Sequence, residues 1–243
     1  VSDISKTVIV TGASGEIGLA TIETLLEHGY CVAACFHSNE IRLSGKVAQQ
    51  QNLKTYKLNL SADDDIKDCS RQICAEATEV SGLVNCAGVA SGSLFGMTKI
   101  SDMRSLFQIN FFGTLLFTQY VVKKMIRQKK GAIVNIGSTA GIFADSGTLS
   151  YGSSKAALLH ASRVMAVELG PLGIRVNCVA PAVVETKMGN LMDEVSRSKL
   201  DDRGVLPNVT KPRDIADAVA FLISDKAASI SAQIIRIDRG MPF

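Results

Sequence analysis

The chain has 243 residues, 47% apolar and 20% charged, which is enough to bury a sizeable core in one large α/β domain. A net charge of +3 on spread-out basic residues argues against a nucleic-acid partner, and no apolar run reaches the roughly 18 residues of a membrane span. The six cysteines form no CxxC pair and there are three histidines, which argues against zinc. Cys31, Cys35, Cys86 and Cys178 sit in apolar strand-like runs as small hydrophobes, which points to a reducing compartment, the cytoplasm.

The predicted elements alternate from the start, with no signal peptide ahead of the first strand. Thr7 to Val10 is a short β-branched strand that runs into a Gly-rich turn. A helix follows from Ile17 to His28, and Gly29 ends it as a C′ residue would. Cys31 to Phe36 is a second strand, apolar throughout, as burial on both faces demands. Ile41 to Gln51 reads as helix, Thr55 to Leu60 as strand, Asp63 to Ala77 as helix and Leu83 to Cys86 as the fourth strand. Met103 to Arg127 is a long helix, apolar on most of its circumference. Ala132 to Ile136, Arg175 to Val179 and Ile234 to Ile237 are the remaining strands, with helices over Ser150 to Leu169 and Asp214 to Ile223. This rhythm implies right-handed βαβ units in a single domain over residues 1–243. The expected fold is a Rossmann-type, doubly wound, seven-stranded parallel sheet with helices on both faces. Residues 187–211 break the rhythm. They are polar, with scattered Met188, Leu191, Met192 and Leu206, and read as a mobile substrate loop or lid.

Thr11-Gly12-Ala13-Ser14-Gly15-Glu16-Ile17-Gly18 follows the first strand and opens the first helix. In that position the glycines let backbone approach a pyrophosphate, and the helix start supplies N–H groups and partial positive charge. A bare β-to-α turn is the alternative, but the opening of an alternating α/β chain favours a dinucleotide. After the second strand comes Phe36-His37-Ser38-Asn39, with no acid before Glu40. Ser14, His37, Ser38 and Asn39, with Arg42 nearby, suit a 2′-phosphate, so NADPH is expected over NADH.

Tyr151 and Lys155 open the long helix after the fifth strand. Four residues apart, they share a face, and an ammonium beside a phenol favours the phenolate that proton transfer needs. The same spacing also arises when a tyrosine merely packs under a lysine stem. Ser138 weighs for chemistry, because it follows the fifth strand. The Gly-rich turn, Gly88, Ser138 and Pro181 all fall at C-terminal strand ends, the edge where open α/β sheets bind ligands. Asn110, an indifferent helix former in an apolar helix, suggests a specific hydrogen-bonding task or a satisfied buried amide.

These residues resemble the short-chain dehydrogenase/reductase family over essentially the whole chain. Gly12 to Gly18 is similar to its cofactor turn, and Asn85-Cys86-Ala87-Gly88 to its Asn-Asn-Ala-Gly element with Cys at the second Asn. Asn110, Ser138, Tyr151 and Lys155 match its catalytic tetrad in order and spacing. Pro181 to Thr186 resembles its nicotinamide segment, and Asp238-Arg239-Gly240 its terminal Asp-Gly-Gly. The resemblance implies that Tyr151 exchanges the proton with the substrate oxygen and that Ser138 hydrogen-bonds that oxygen. It implies that Lys155 assists the tyrosine and binds the nicotinamide ribose, and that Asn110 holds a water linking Lys155 to solvent. Cofactor contacts are implied for Gly12, Ser14, Gly15, Ile17, Gly18, His37, Ser38, Asn59, Leu60, Asn85, Ala87, Gly88, Tyr151, Lys155, Pro181, Val184 and Thr186. No metal is implied.

Three positions depart from the pattern. Glu16 stands at the middle glycine of the turn, Gly15 where many NADPH-preferring members carry Arg or Lys, and Ala182 at a glycine. By overall look the closest subgroup is the 3-oxoacyl-[acyl-carrier-protein] reductases. Arg127, Lys129 and Lys130 read as a solvated helix end, or as a docking point for an acidic carrier protein. Val89-Ala90-Ser91-Gly92-Ser93-Leu94 lacks the Arg-Asp pair of many such reductases. A reductase of another small ketone or alcohol (sugar, polyol or steroid-like) and a catalytically silent regulatory member are the alternatives. The long helices over 106–127 and 151–169, apolar nearly all round, imply a homotetramer through the resemblance.

Overall fold

The computed structural model describes residues 6–38, 50–186 and 202–242. Its strands are β1 (Lys6–Thr11), β2 (Cys31–Phe36), β3 (Leu53–Lys57), β4 (Glu79–Asn85), β5 (Gly131–Ile136), β6 (Ile174–Pro181) and β7 (Ile234–Ile237). All pair in parallel in one sheet ordered β3-β2-β1-β4-β5-β6-β7. The order reverses between β1 and β4, so the chain leaves those two C-terminal ends in opposite directions and opens a crevice there.

Among the described residues the α-helices are α1 (Glu16–Glu27), α2 (Asp63–Glu76), α3 (Ile100–Phe107), α4 (Thr114–Gln128), α5 (Leu149–Leu169) and α6 (Pro212–Ile223). Alternation along each strand divides the core into two layers. Val8 and Val10 share one layer with Ile22 and Leu25 of α1 and Ile215 and Val219 of α6. Ile9 lies in the other with Phe117, Val121 and Met125 of α4 and Ile66 and Ile73 of α2. Each such side chain contributes about 1.5–3 kcal/mol on burial. Continuous apolar strands are therefore what a sheet covered on both faces requires.

Helix ends follow from local chemistry. Three aspartates, Asp63 to Asp65, open α2, where negative charge is favoured. Pro212 starts α6 and the Asp214 carboxylate accepts from the Lys211 N–H at 2.7 Å. At the far end of α6 the Arg175 guanidinium donates to the carbonyls of Leu222, Ile223 and Ser224, which have no partner within the helix.

Several boundaries differ from the sequence reading. β3 starts two residues early and stops at Lys57, so Asn59 and Leu60 lie beyond the strand. β4 starts at Glu79, four residues before the expected Leu83, and β6 extends two residues past the expected Val179, so Pro181 is its last residue and not a position beyond it. Of the helix expected over 41–51, residues 41–49 lie outside the described residues and Gln50 and Gln51 are not helical. The helix expected over 103–127 begins at Ile100 and contains a wide π-helical turn, Gln108–Gly113, between α3 and α4. A Cβ at Gly113 would lie 2.1 Å from the Leu60 carbonyl oxygen, so only glycine lets this turn sit against the end of the β3 segment. Residues 187–201 of the expected lid lie outside the described residues. Over 202–211, Thr210 bridges to Val184. Among the described residues no helix is long and apolar enough to cross a membrane.

Candidate active site

The Gly-rich turn is pinned on two sides. The Ala13 N–H donates to the Cys35 carbonyl of β2 at 3.0 Å, and the Thr11 hydroxyl accepts from the N–H groups of Cys86 and Ala87 at 3.1 Å each. Gly12 has φ +69°, and a Cβ there would lie 2.7 Å from Ala87 Cα and N. A Cβ at Gly18 would lie 2.2 Å from the Gly12 carbonyl oxygen. Turn, helix start and β4 end therefore meet backbone to backbone. Gly15, the N-cap of α1, is exposed and its Cβ position is at ordinary contact distance, 3.5 Å. Glu16 is the first residue of α1, where a carboxylate complements the helix dipole. Ser14 and Ile17 are half-buried beside it, and His37 and Ser38 are exposed past β2. Asn39, Glu40 and Arg42 lie outside the described residues.

At the end of β4, the Asn85 side chain is buried. Its Nδ2 donates to Thr118 Oγ1 at 2.9 Å and Asn135 Oδ1 at 2.8 Å, and Asn135 Nδ2 donates to Ser162 Oγ at 2.8 Å. This buried network ties β4 and β5 to α4 and α5. Burial pushes the Cys86 thiol up to about 12, with the nearby Lys155 charge opposing, so it stays neutral. Gly88 lies directly against the catalytic candidates. A Cβ there would be 3.3 Å from Asn110 Oδ1 and 3.4 Å from Lys155 Nζ.

Asn110 sits in the π-helical turn, a distortion that often marks functional positions. Its Oδ1 accepts from the Val89 N–H at 2.8 Å. Its Nδ2 donates to the Val89 carbonyl at 2.8 Å and to Ser154 Oγ at 3.1 Å. Ser154 Oγ in turn donates to the Tyr151 carbonyl at 2.8 Å. Asn110 thus clamps the loop after β4 to the helix carrying Tyr151 and Lys155.

The Lys155 ammonium is buried and lies 5.8 Å from the Tyr151 ring centroid. Among the described residues its one hydrogen-bond acceptor is the Ile136 carbonyl, at 2.7 Å, and no carboxylate pairs with it. An ammonium has three N–H donors, and burying it without partners is costly. Two donors beside Gly88 therefore fit a ligand rich in hydroxyl acceptors, such as a nucleotide ribose.

Ser138 Oγ accepts from the Ala140 N–H at 3.1 Å and caps a short turn, Thr139–Gly141, which leaves its own proton available for a substrate oxygen. Two glycines not singled out from the sequence set its place. A Cβ at Gly141 would be 2.7 Å from the Ala156 nitrogen, and one at Gly152 would be 2.6 Å from the Ala140 carbonyl oxygen. The Ser138 turn therefore rests on α5 backbone against backbone. Gly152, an unfavourable residue inside a helix, was the available signal.

The remaining predicted positions spread along the same edge. Half-buried Asn59 accepts from the Ser61 N–H at 2.9 Å, and Leu60 is buried. Pro181 pairs in register with Ile237, Val184 is buried, and Thr186 Oγ1 donates to the Val184 carbonyl at 3.3 Å. Among the described residues no cluster of His, Cys, Asp and Glu is arranged to hold a metal ion.

A family model described as short chain dehydrogenase matches residues 6–196. A 3-oxoacyl-[acyl-carrier-protein] reductase of Thermotoga maritima is 33% identical over 240 residues, 97% of each chain. Nodulation protein G of Rhizobium meliloti is 31% identical over 96% of this chain and 95% of its own. Among solved structures, gox2181 superposes with a TM-score of 0.90 at 27% identity, over 98% of this chain and 95% of its own. Levodione reductase, with a TM-score of 0.91 at 24% identity over 97% of both chains, shares the fold.

Proposed function

Because the chain belongs to the short-chain dehydrogenase family, and is thus an NAD(P)-dependent oxidoreductase, we propose that it reduces a 3-oxoacyl thioester on acyl carrier protein to the 3-hydroxyacyl form, with NADPH as reductant. The observation that carries the reading is the buried Lys155 ammonium, anchored by Ile136 O beside both Tyr151 and Gly88. Tyr151 donates its phenolic proton to the carbonyl oxygen as that oxygen gains negative charge, and Ser138 donates a hydrogen bond to the same oxygen. Lys155 favours the resulting phenolate and would hold the ribose hydroxyls of the cofactor. Asn110 keeps this group in register. Both of its Nδ2 donors are already engaged, so a water relaying protons there would donate to it.

The bound nicotinamide supplies the hydride. The turn from Gly12 to Gly18 would hold the pyrophosphate, with Ser14, His37 and Ser38 at the 2′-phosphate, Asn59 at the adenine, and Val184 and Thr186 at the carboxamide and phosphates. The acyl-carrier reading is supported by the names of the relatives and by exposed Lys129 at the end of α4, whereas Lys130 pairs with Asp225 at 3.3 Å. Exposed Phe112, Val164 and Val167 on the long helices support a homotetramer, working in the cytoplasm.

A second reading, reduction of another small ketone, is favoured by the uncharged loop from Val89 to Leu94. Steady-state kinetics on acetoacetyl thioesters and a ketone panel, with NADPH and NADH in parallel, test both. Thioester turnover with a higher kcat/KM for NADPH is expected, and Tyr151→Phe should abolish it while NADPH still binds. Inert thioesters with a sugar, polyol or steroid ketone turned over would establish the second reading. Equal kcat/KM with NADH would overturn the cofactor preference. Cofactor binding with no turnover anywhere would mark a silent member.

A further inference from the structure

The backbone of the loop joining Ser138 to Tyr151 is tied to the loop after β4 at one point, where the Gly147 carbonyl accepts from the Ser93 N–H at 3.0 Å. The Phe143 N–H donates to the Thr139 carbonyl at 2.8 Å, and the Asp145 carbonyl accepts from Thr148 N and Oγ1 at 3.2 and 2.7 Å. Thr148 is the N-cap of α5, two turns before Lys155, and its carbonyl accepts from the Gly152 N–H at 2.6 Å. Any movement of Asp145 is therefore passed to the start of the helix that carries Tyr151. Gly147, at φ +82°, gives the loop added conformational freedom.

The outer side of this loop is held by side chains from far along the chain. Arg203 Nη1 donates to Asp145 Oδ1 at 3.0 Å, and the Arg203 guanidinium lies 5.5 Å from the Phe143 ring centroid. The Arg236 guanidinium lies 5.1 Å from the same ring and is fixed by Asp238 at 2.6 Å and by the Met241 carbonyl. Arg203 is itself on an anchored segment, since the N–H groups of Val205 and Leu206 both donate to the Arg239 carbonyl, at 2.9 and 3.1 Å. The ion pair is about two-thirds removed from solvent, with side-chain exposures of 35% and 31%. A planar guanidinium does both jobs at once, pairing with the carboxylate and facing the ring.

We propose that Arg203 is a positioning residue for the reaction, latching the Ser138–Tyr151 loop to the C-terminal segment through Asp145 and Phe143. This rests on the reading of Ser138 and Tyr151 as the proton-transfer pair. Arg203 acts through the loop alone. Loosening the latch lowers the fraction of molecules with the loop in its substrate-binding arrangement, which raises KM by the inverse of that fraction and leaves kcat nearly unchanged.

The test uses Arg203→Ala, Asp145→Ala and the double variant, with the carbonyl that the wild-type enzyme reduces best. KM should rise by up to about fivefold in each single variant, the upper end of what a pair still one-third exposed supplies, and at least as much in Arg203→Ala as in Asp145→Ala, since the first also loses the Phe143 contact. The double should be no worse than Arg203→Ala, which already removes both the ion pair and the Phe143 contact, with kcat and the NADPH Kd close to wild type. Arg203→Lys should recover part of the loss, since it keeps the charge and lacks the planar face. An unchanged KM in Arg203→Ala, or single effects that multiply in the double variant, overturns the latch. Amide hydrogen exchange over residues 142–147 gives a readout independent of turnover. It should quicken in Arg203→Ala, or in Asp145→Asn if the alanine variants fold poorly, and unchanged exchange counts against the latch. Tyr151→Phe run alongside separates the two ideas. A near-normal rate there defeats the catalytic reading, while the exchange data still judge the latch.

Discussion

Replacing Gly18 by alanine puts the closest backbone contact of the cofactor turn under test. The new Cβ would lie 2.2 Å from the Gly12 carbonyl oxygen and 2.9 Å from its carbon. That is roughly 1 Å inside the ~3.5 Å at which nonbonded heavy atoms rest. The oxygen belongs to backbone that is itself wedged against Ala87, so neither side yields by a rotamer change. Relief requires the turn to move, and overpacking of this kind costs about 1–3 kcal/mol. At about 2–4 °C per kcal/mol for a chain of this size, Tm should fall by roughly 4–8 °C for a cost near 2 kcal/mol.

Moving the turn also misdirects the N–H groups at the start of α1, so the NADPH Kd should rise by about tenfold, equivalent to about 1.4 kcal/mol. Gly15→Ala is the matched control for Tm. Its Cβ meets only Gly12 O, at 3.5 Å, so in the fold it should cost only the roughly 0.5–1 kcal/mol by which alanine is a poorer N-cap than glycine. Fluorescence titration with NADPH and thermal melting on the three proteins decide the matter. Wild-type Kd and Tm in Gly18→Ala, or an equal fall in Tm from Gly15→Ala, would refute the close-approach argument.

Two further outcomes are expected. The Glu76 carboxylate accepts from Lys54, Gln72 and Tyr56, which holds it down at about 2. A depressed carboxylate stabilises the fold above its unfolded value near 4.5, and that contribution is lost as pH falls from there towards about 2. The gap in urea midpoint between wild type and Glu76→Gln should therefore be widest near neutrality and shrink by pH 3. A gap that stays constant or widens would contradict the assignment. For assembly, sedimentation should give four times the 25.9 kDa chain mass, and a monomeric mass would remove the proposed helix-paired tetramer.

Much of this protein is written in local pattern. Seven strands were legible because a parallel sheet covered on both faces needs apolar runs such as Cys31 to Phe36, and those runs are visible without knowing their neighbours. The Gly12 to Gly18 turn and the Tyr151–Lys155 spacing are likewise short-range, since one depends on φ and close backbone approach and the other on helical geometry. The boundaries that moved most, at β3, β4 and β6, are those where pairing with an adjacent strand, and not side-chain character, decides where extension starts and stops.

The π-helical turn at Asn110 was invisible for a related reason. Gly113 at its end passes the Leu60 carbonyl, a contact between segments 53 positions apart. By itself, then, the sequence determined the alternating elements and marked the Gly-rich turn and the Tyr151–Lys155 spacing as candidates, all governed by neighbours within a few positions. Only the tertiary structure decided that Asn110 clamps Val89 to α5, that Gly141 and Gly152 seat Ser138 on that helix, and that Arg203 meets Asp145 across 58 positions. Those contacts form when distant segments pack, and the residues on either side carry no local periodicity that announces the partner.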